Sequence, residues 1–240
     1  MNSIDTNKAD KAREEKVPWT ISDALIALVL FFVVQGVVFF AASLLGTFLP
    51  RVYVLVAAFF ITYLAIFLII LYLAKGIRKA SWDTLGFRPF NFFRGLGSAA
   101  TLFFAALVVN YIYTLIIIEL GYSPPEDLVR RIPQLFGRGT AGFILAVVVV
   151  GLIAPIVEET LFRGFMYPAF RQRFGVVAAM LITSFLFAIA HGILLMVLPI
   201  VVLGVALAYL YQATDSLGPP IMLHSLNNLF SIVLVYYARN

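Results

Sequence analysis

The sequence predicts an all-α fold, a polytopic bundle of about seven transmembrane helices within a range of six to eight. Of its 240 residues, 62% are hydrophobic and 12% are charged, whereas an ordinary soluble domain carries roughly 25% charged residues. A helical span needs about 20 mostly apolar residues, and runs of that length recur along the chain. No polar stretch between the runs is long enough to form a separate soluble domain.

The chain is expected to divide into a short tail and one membrane domain. Residues 1–17 alternate acidic and basic side chains and contain no aromatic residue, which predicts a disordered cytoplasmic tail. Residues 18–240 are expected to form a single transmembrane domain. Cysteine is absent, which excludes disulfides, thiolate zinc ligands and cysteine nucleophiles. The net charge of +5 comes largely from basic residues that flank the spans, so we expect the lipid bilayer, and no nucleic acid, as a partner.

The individual spans follow from the apolar runs. They cover residues 24–45, 52–74, 96–120, 141–167, 176–211 and 221–237. The run 176–211 is too long for one helix, and we divide it just before Pro199 because proline is tolerated at a helix start and disrupts a helix interior. Most of the 17 lysines and arginines then lie on the side of the N-terminus, which predicts a cytoplasmic N-terminus.

Two adjacent carboxylates, Glu158 and Glu159, lie in the fourth run and are followed by Arg163. A charged residue at the bilayer centre costs roughly 2.5 to 3.5 kcal/mol on insertion scales, and such residues usually have a partner and a function. Adjacent helix positions point about 100° apart, so each carboxylate needs its own partner. Arg163 fits equally well as an ion-pair partner of Glu159, one turn away, and as the cytoplasmic end of the span.

The chain contains only two histidines, and both lie in or beside apolar runs. The polar segment that ends at Gly175 predicts the turn of an antiparallel hairpin. Glu158 and His191 lie at nearly equal sequence distances from Gly175, which places them at similar depth on facing helices. The spacing therefore allows a carboxylate and imidazole pair.

The last span carries the second histidine, His224, and Asn228 four residues later on the same helix face. Both can meet Glu158 and His191 if the turn at Gly175 projects beyond the hydrocarbon. Taken alone, Asn228 and a single histidine are also typical of structural hydrogen bonds between membrane helices.

Three motifs on successive segments give the chain a family resemblance. Residues 158–163 read EExxxR, residues 187–191 read FxxxH and residues 224–228 read HxxxN. In this order they resemble the CPBP family of intramembrane proteases, which includes the type II CAAX prenyl endopeptidases and bacterial relatives linked to lysostaphin resistance, bacteriocin self-immunity and abortive infection. The resemblance covers a catalytic core at about residues 142–232.

The resemblance implies roles for the motif residues. Glu158 matches the catalytic glutamate that polarises water together with His191 for attack on an amide. His224 and Asn228 match the pair that binds the developing oxyanion. Glu159 and Arg163 match residues that support the catalytic groups.

The resemblance also implies a cofactor question and a substrate class. Zinc is one possibility, with Glu158, His191 and His224 as its ligands, although their spacing is not the HExxH arrangement. A metal-free glutamate mechanism fits the same residues. The expected substrate is a membrane-associated protein or peptide, including a lipidated one, and the expected location is a bacterial plasma membrane. The sequence leaves the oligomeric state open.

Two other functions fit the same residues. A proton-coupled transporter could use the Glu and His cluster as a relay. Transporters commonly show paired repeats, however, and here the polar residues lie in the C-terminal half without counterparts in the first three spans. A non-catalytic membrane scaffold could keep the motifs for stability alone.

Overall fold

A computed structural model describes residues 16–122 and 132–237 of the chain. All regular secondary structure in these two ranges is helical, which confirms the predicted all-α fold. Of the predicted disordered tail, residues 1–17, the first 15 residues lie outside the described part of the chain.

Six helices of the described chain are long and apolar enough to cross a membrane. The first three, α1 to α3, are Ile21–Leu45, Arg51–Ile77 and Phe92–Glu119. A 52-residue helical run, Gly139–Ala190, follows, and then come Leu194–Thr214 and Gly218–Tyr237. The long run bends at Gly175 into two helices, which we name α4 (139–174) and α5 (176–190). With Val197–Thr214 as α6 and Gly218–Tyr237 as α7, the predicted range of six to eight spans is confirmed.

Gly175 makes the turn of the predicted hairpin. Its φ of 78° and ψ of 176° are non-helical, and glycine adopts a positive φ without steric cost. The ring of Phe162 on α4 lies 5.1 Å from that of Phe187 on α5, centroid to centroid. The two helices therefore run back along each other.

The predicted division of the run 176–211 is also confirmed. After α5 the chain leaves the helix at His191, makes one 3-10 turn at Leu194–Met196 and starts α6 at Val197. Pro199 thus lies in the first turn of α6, where its missing N–H would have no helical partner.

Helix α4 occupies the centre of the bundle. Every residue from position 159 to position 170 is buried. In contrast, α1 and α3 expose large apolar side chains such as Phe40 and Phe104. An apolar outer surface on long helices is what a lipid environment requires.

The loop between α2 and α3 packs against one end of the bundle. Leu85 is fully buried, and the backbone N–H of Leu217 donates to the Gly86 carbonyl at 2.8 Å. A Cβ on Gly164 would lie 2.6 Å from the Leu85 carbonyl oxygen, so this loop lies level with position 164 of α4. The last turns of α4 and the bend at Gly175 therefore extend beyond the start of α7. This projection is the condition under which His224 and Asn228 were expected to lie near Glu158. We call this end of the bundle the turn end.

The segment before α1 is fixed to the turn end as well. Thr20 and Asp23 form a capping box at the start of α1, and Asp23 pairs with Arg78 at 2.8 Å. The indole N–H of Trp19 donates to the Phe165 carbonyl at 2.7 Å, and the two rings stack. Helix α4 is thereby tied to the N-terminal part of the described chain.

Candidate active site

Two π-helical stretches in α4 surround the adjacent glutamates. Val147–Ile153 and Thr160–Met166 are π-helical, and the six residues between them, Ala154–Glu159, are α-helical. A π turn shifts every following side chain around the helix axis, and such turns are frequent at functional sites. The first π stretch thus affects the directions in which Glu158 and Glu159 point, and the second affects those of the residues that follow, including Arg163.

Asn228 repairs a gap that the first π stretch creates. In this stretch the N–H of Ala154 bonds to the Val149 carbonyl, five residues back. The next carbonyl, Val150, would need the N–H of Pro155, and proline has none. The side-chain amide of Asn228 donates to the Val150 carbonyl instead, at 2.9 Å. This contact fixes Asn228 beside α4 and leaves the second N–H of its amide for another acceptor.

Glu159, Arg163 and His224 form the part of the site that we call the sealed side. Oε1 of Glu159 accepts from Nη1 of Arg163 at 3.0 Å and lies 2.8 Å from Nδ1 of His224. Both Glu159 and Arg163 are completely buried, and His224 is 2% exposed. The sequence allowed Arg163 either to pair with Glu159 or to mark the cytoplasmic end of the span, and the structure shows the ion pair.

The guanidinium of Arg163 is held by two further contacts. Its Nη2 donates to the Gly204 carbonyl of α6 at 2.9 Å, and its charge lies 4.5 Å from the centre of the Phe187 ring. A side chain at position 204 would clash, because a Cβ there would lie 2.8 Å from Cβ of Ser184. The close approach of α5 and α6 thus depends on Gly204.

Glu158 and Tyr63 form what we call the open side of the site. The side chain of Glu158 is 13% exposed, and its Oε1 accepts a 3.0 Å hydrogen bond from the Tyr63 hydroxyl on α2. Its Oε2 lies 3.8 Å from Nε2 of His224. That separation is too long for a direct hydrogen bond, and a water molecule could bridge such a pair.

His191 lies next to this cluster without a direct contact to Glu158. It is exposed at the end of α5, and its Nδ1 lies 2.8 Å from the Phe187 carbonyl. The Phe187 ring contacts both imidazoles, with its centroid 4.5 Å from that of His191 and 5.5 Å from that of His224. The imidazole that faces Glu158 is therefore that of His224, and the pair suggested by equal depth is not a direct one in this structure.

The possible zinc ligands do not converge in the described chain. Residues 16–122 and 132–237 contain no group of three or more His, Asp or Glu side chains arranged to hold a metal ion. The Nδ1 of His224 is engaged with Glu159, and His191 is turned to the backbone of its own helix. The arrangement thus does not fit a zinc site formed by Glu158, His191 and His224.

Sequence reasoning missed two contributors to the site. Tyr63 is one of several aromatic residues in an apolar run, and its contact with Glu158 spans 95 positions. The Val150 carbonyl is a backbone group whose need for a donor follows from the π turn. The missing N–H of Pro155 was the one signal that could have pointed to it.

Known proteins resemble the C-terminal part of the chain. A family model described as type II CAAX prenyl endopeptidase Rce1-like matches residues 140–230. This range includes all three motifs, which confirms the resemblance stated from them. Together with the six apolar helices, the match identifies a multi-pass integral membrane protein.

Two curated relatives are similar over parts of the chain. "Putative membrane peptidase YdiL" of Bacillus subtilis is 31% identical over 90 residues, which are 38% of this chain and 37% of that protein. "UPF0177 protein YxdF" of Lactococcus lactis is 25% identical over 135 residues, 53% of this chain and 70% of that protein. The match thus spans little more than a third of the first relative. No solved structure matches the chain.

Proposed function

We propose that this protein is an intramembrane endopeptidase, because residues 140–230 match the family model described as type II CAAX prenyl endopeptidase Rce1-like. The observation that carries the proposal is that two adjacent carboxylates differ in burial and in their partners. Glu159 is buried and neutralised by Arg163, whereas Glu158 is partly exposed and faces an imidazole across 3.8 Å. A carboxylate that is anchored through one oxygen and accessible through the other suits a general base.

In the proposed reaction, Glu158 removes a proton from a water molecule as the water oxygen attacks the scissile carbonyl carbon. The resulting tetrahedral oxyanion is stabilised by His224 and Asn228, which share one face of α7. Because Nδ1 of His224 donates to the Glu159 carboxylate, Nε2 carries a second proton in this proposed step and donates it to the hydrogen bond with the oxyanion. Glu158 then returns the proton to the leaving amine as the C–N bond breaks. His191 helps to polarise the water once substrate occupies the site.

Two contacts support the roles assigned on α7. His224 is held through Nδ1 by Glu159, which directs its Nε2 toward Glu158. Asn228 is held through one amide N–H by Val150, so the other is free to bind an oxyanion. Fixed hydrogen-bond donors are the usual means by which an enzyme stabilises developing negative charge.

The proposed substrate is a peptide segment held at the membrane, including the C-terminal segment of a prenylated protein. It would enter from the lipid to reach the exposed edge of Glu158. The proposed orientation has the N-terminus in the cytoplasm, which places the turn end on the inner side of the membrane.

The proposal can be tested with the full-length protein in liposomes. Quenched fluorescent peptides that end in a Cys-aliphatic-aliphatic-X sequence, with and without an S-farnesyl group, report cleavage, and mass spectrometry identifies the bond. We expect Glu158→Gln and His191→Ala to lower the cleavage rate by about 10² to 10⁴-fold. Glu119→Gln, an exposed carboxylate at the end of α3, is the matched control and should leave the rate unchanged. A normal rate in both site variants would overturn the proposal.

A further inference from the structure

A cavity of about 360 Å³ lies at the turn end, apart from the candidate active site. It is formed by the segment before α1, the loop between α2 and α3, the last turns of α4 and the end of α6. None of the six predicted site residues lines it. Its size is that of a small-molecule site.

The lining of the cavity is rich in positive charge. Lys16, Arg88 and Arg171 contribute cations, and Asp215 contributes the one carboxylate among the lining residues. Arg88 forms an ion pair with Asp215. The lining therefore keeps a net positive charge from Lys16 and Arg171. A concave site with one sign of charge attracts ions of the opposite sign.

Arg171 is held in position for a ligand. Its Nη1 donates to Oε1 of Gln212 at 3.0 Å, and its guanidinium lies 6.0 Å from the centre of the Tyr167 ring. A guanidinium has five N–H donors in a planar fork that matches the oxygens of a phosphate. Among the described residues, Arg171 uses one of these donors.

Tyr211 supplies a neutral hydrogen-bond donor to the cavity. The residue lines the cavity and is only 4% exposed, yet its hydroxyl makes no hydrogen bond within the described part of the chain. The ring lies against Gly86, where a Cβ would be 3.0 Å from the hydroxyl oxygen. A tyrosine hydroxyl is a hydrogen-bond donor, so this one is available to donate to a group bound in the cavity.

We propose that the cavity binds a phosphate group, either the head group of an anionic lipid or free phosphate. Lys16 and Arg171 supply the charge, and the Tyr211 hydroxyl donates to a phosphate oxygen. The neighbouring surface exposes Trp82 and Phe93, and such aromatic residues are typical of the head-group region of a bilayer. Basic pockets between membrane helices are known to bind phosphorylated head groups.

The experiment uses the full-length protein with Arg171→Gln and Tyr211→Phe. The control is Arg173→Gln, an exposed arginine two residues away that does not line the cavity. In one arm, sodium phosphate is titrated into detergent-solubilised protein against sodium chloride at equal ionic strength, and thermal unfolding is followed. In the other, native mass spectrometry measures phosphatidylglycerol retained from mixed bilayers relative to phosphatidylcholine.

We expect binding to weaken about tenfold in Arg171→Gln and about fivefold in Tyr211→Phe, and to stay unchanged in Arg173→Gln. A response to phosphate alone identifies free phosphate as the ligand, and selective retention of phosphatidylglycerol identifies a lipid head group. The proposal is overturned if neither ligand binds, or if Arg173→Gln weakens binding as much as Arg171→Gln. Thermal unfolding without ligand shows whether each variant is folded.

Discussion

The sealed and the open sides of the site place two adjacent glutamate side chains in different environments. Glu159 on the sealed side shares one oxygen between a buried arginine and a histidine, and no part of it reaches the surface. Glu158 on the open side is held by one neutral hydroxyl and is 13% exposed. The difference shows that sequence adjacency does not imply shared function, because one residue step on a helix selects a different set of neighbours.

The magnitudes of the contacts also divide the two sides. Removing one member of a buried ion pair costs about 3 to 5 kcal/mol, because the remaining charge stays buried without compensation. A single hydrogen bond to a charged group contributes about 1.5 to 3 kcal/mol. We therefore expect the sealed side to determine stability and the open side to determine reactivity.

The largest effect on stability should come from Glu159→Gln. The amide keeps the size of the side chain and removes the charge that compensates Arg163, so the free energy of unfolding should fall by about 3 to 5 kcal/mol. The measurement is unfolding of the detergent-solubilised protein with increasing sodium dodecyl sulfate.

Glu158→Gln is the matched control for that variant, and we expect its unfolding to resemble wild type. Adding Arg163→Met to Glu159→Gln should restore part of the lost stability, since the double variant buries no net charge. Equal destabilisation by the two single Glu→Gln changes would remove the distinction between the sealed and the open side.

A smaller loss should follow from Asn228→Ala. This change leaves the Val150 carbonyl without its donor, and a buried polar group without a partner costs about 1 to 3 kcal/mol. Asn227→Ala is the control, because the amide of Asn227 makes only a 3.5 Å contact with Asn228. Hydrogen exchange of α4 should rise in Asn228→Ala around the first π stretch. Unchanged exchange there would show that Asn228 does not support the backbone of α4.

The helical architecture could be predicted from the sequence because its signals are local. Glycine is conformationally permissive and proline is restricted in any fold. Gly175 and Pro199 therefore both mark helix boundaries. The pairing of Glu159 with Arg163 was open in the sequence because one helical turn separates the two residues. That spacing permits the contact and does not require it.

The partners of Glu158 could not be predicted in the same way. Sequence spacing gives depth along a helix, and this led to His191. The direction in which a side chain points depends on rotation about the helix axis, and the π stretch before Glu158 changes this rotation. Tyr63 lies on another helix, and its position relative to Glu158 is set by the packing of the whole bundle.

The smallest effect should come from Tyr63→Phe, which tests how firmly the open side is held. Loss of the hydroxyl removes the 3.0 Å hydrogen bond to Glu158 and keeps the ring in place. If Tyr63 positions Glu158 for proton transfer, kcat should fall about tenfold with little change in KM, since a hydrogen bond to a charged group contributes about 1.5 kcal/mol or more. The measurement is the cleavage rate over a range of substrate concentrations and pH values.

Tyr53→Phe is the matched control for Tyr63→Phe, because Tyr53 lies on the same helix with its side chain exposed. A positioning role predicts that kcat of the folded fraction falls across the whole pH profile, because the carboxylate oxygen that Tyr63 holds loses its fixed position. A purely structural role would lower the thermal stability and leave the profile of the folded fraction as in wild type. An unchanged kcat and an unchanged pH profile together would show that Glu158 keeps its position without Tyr63. The position of Glu158 would then depend on α4 alone.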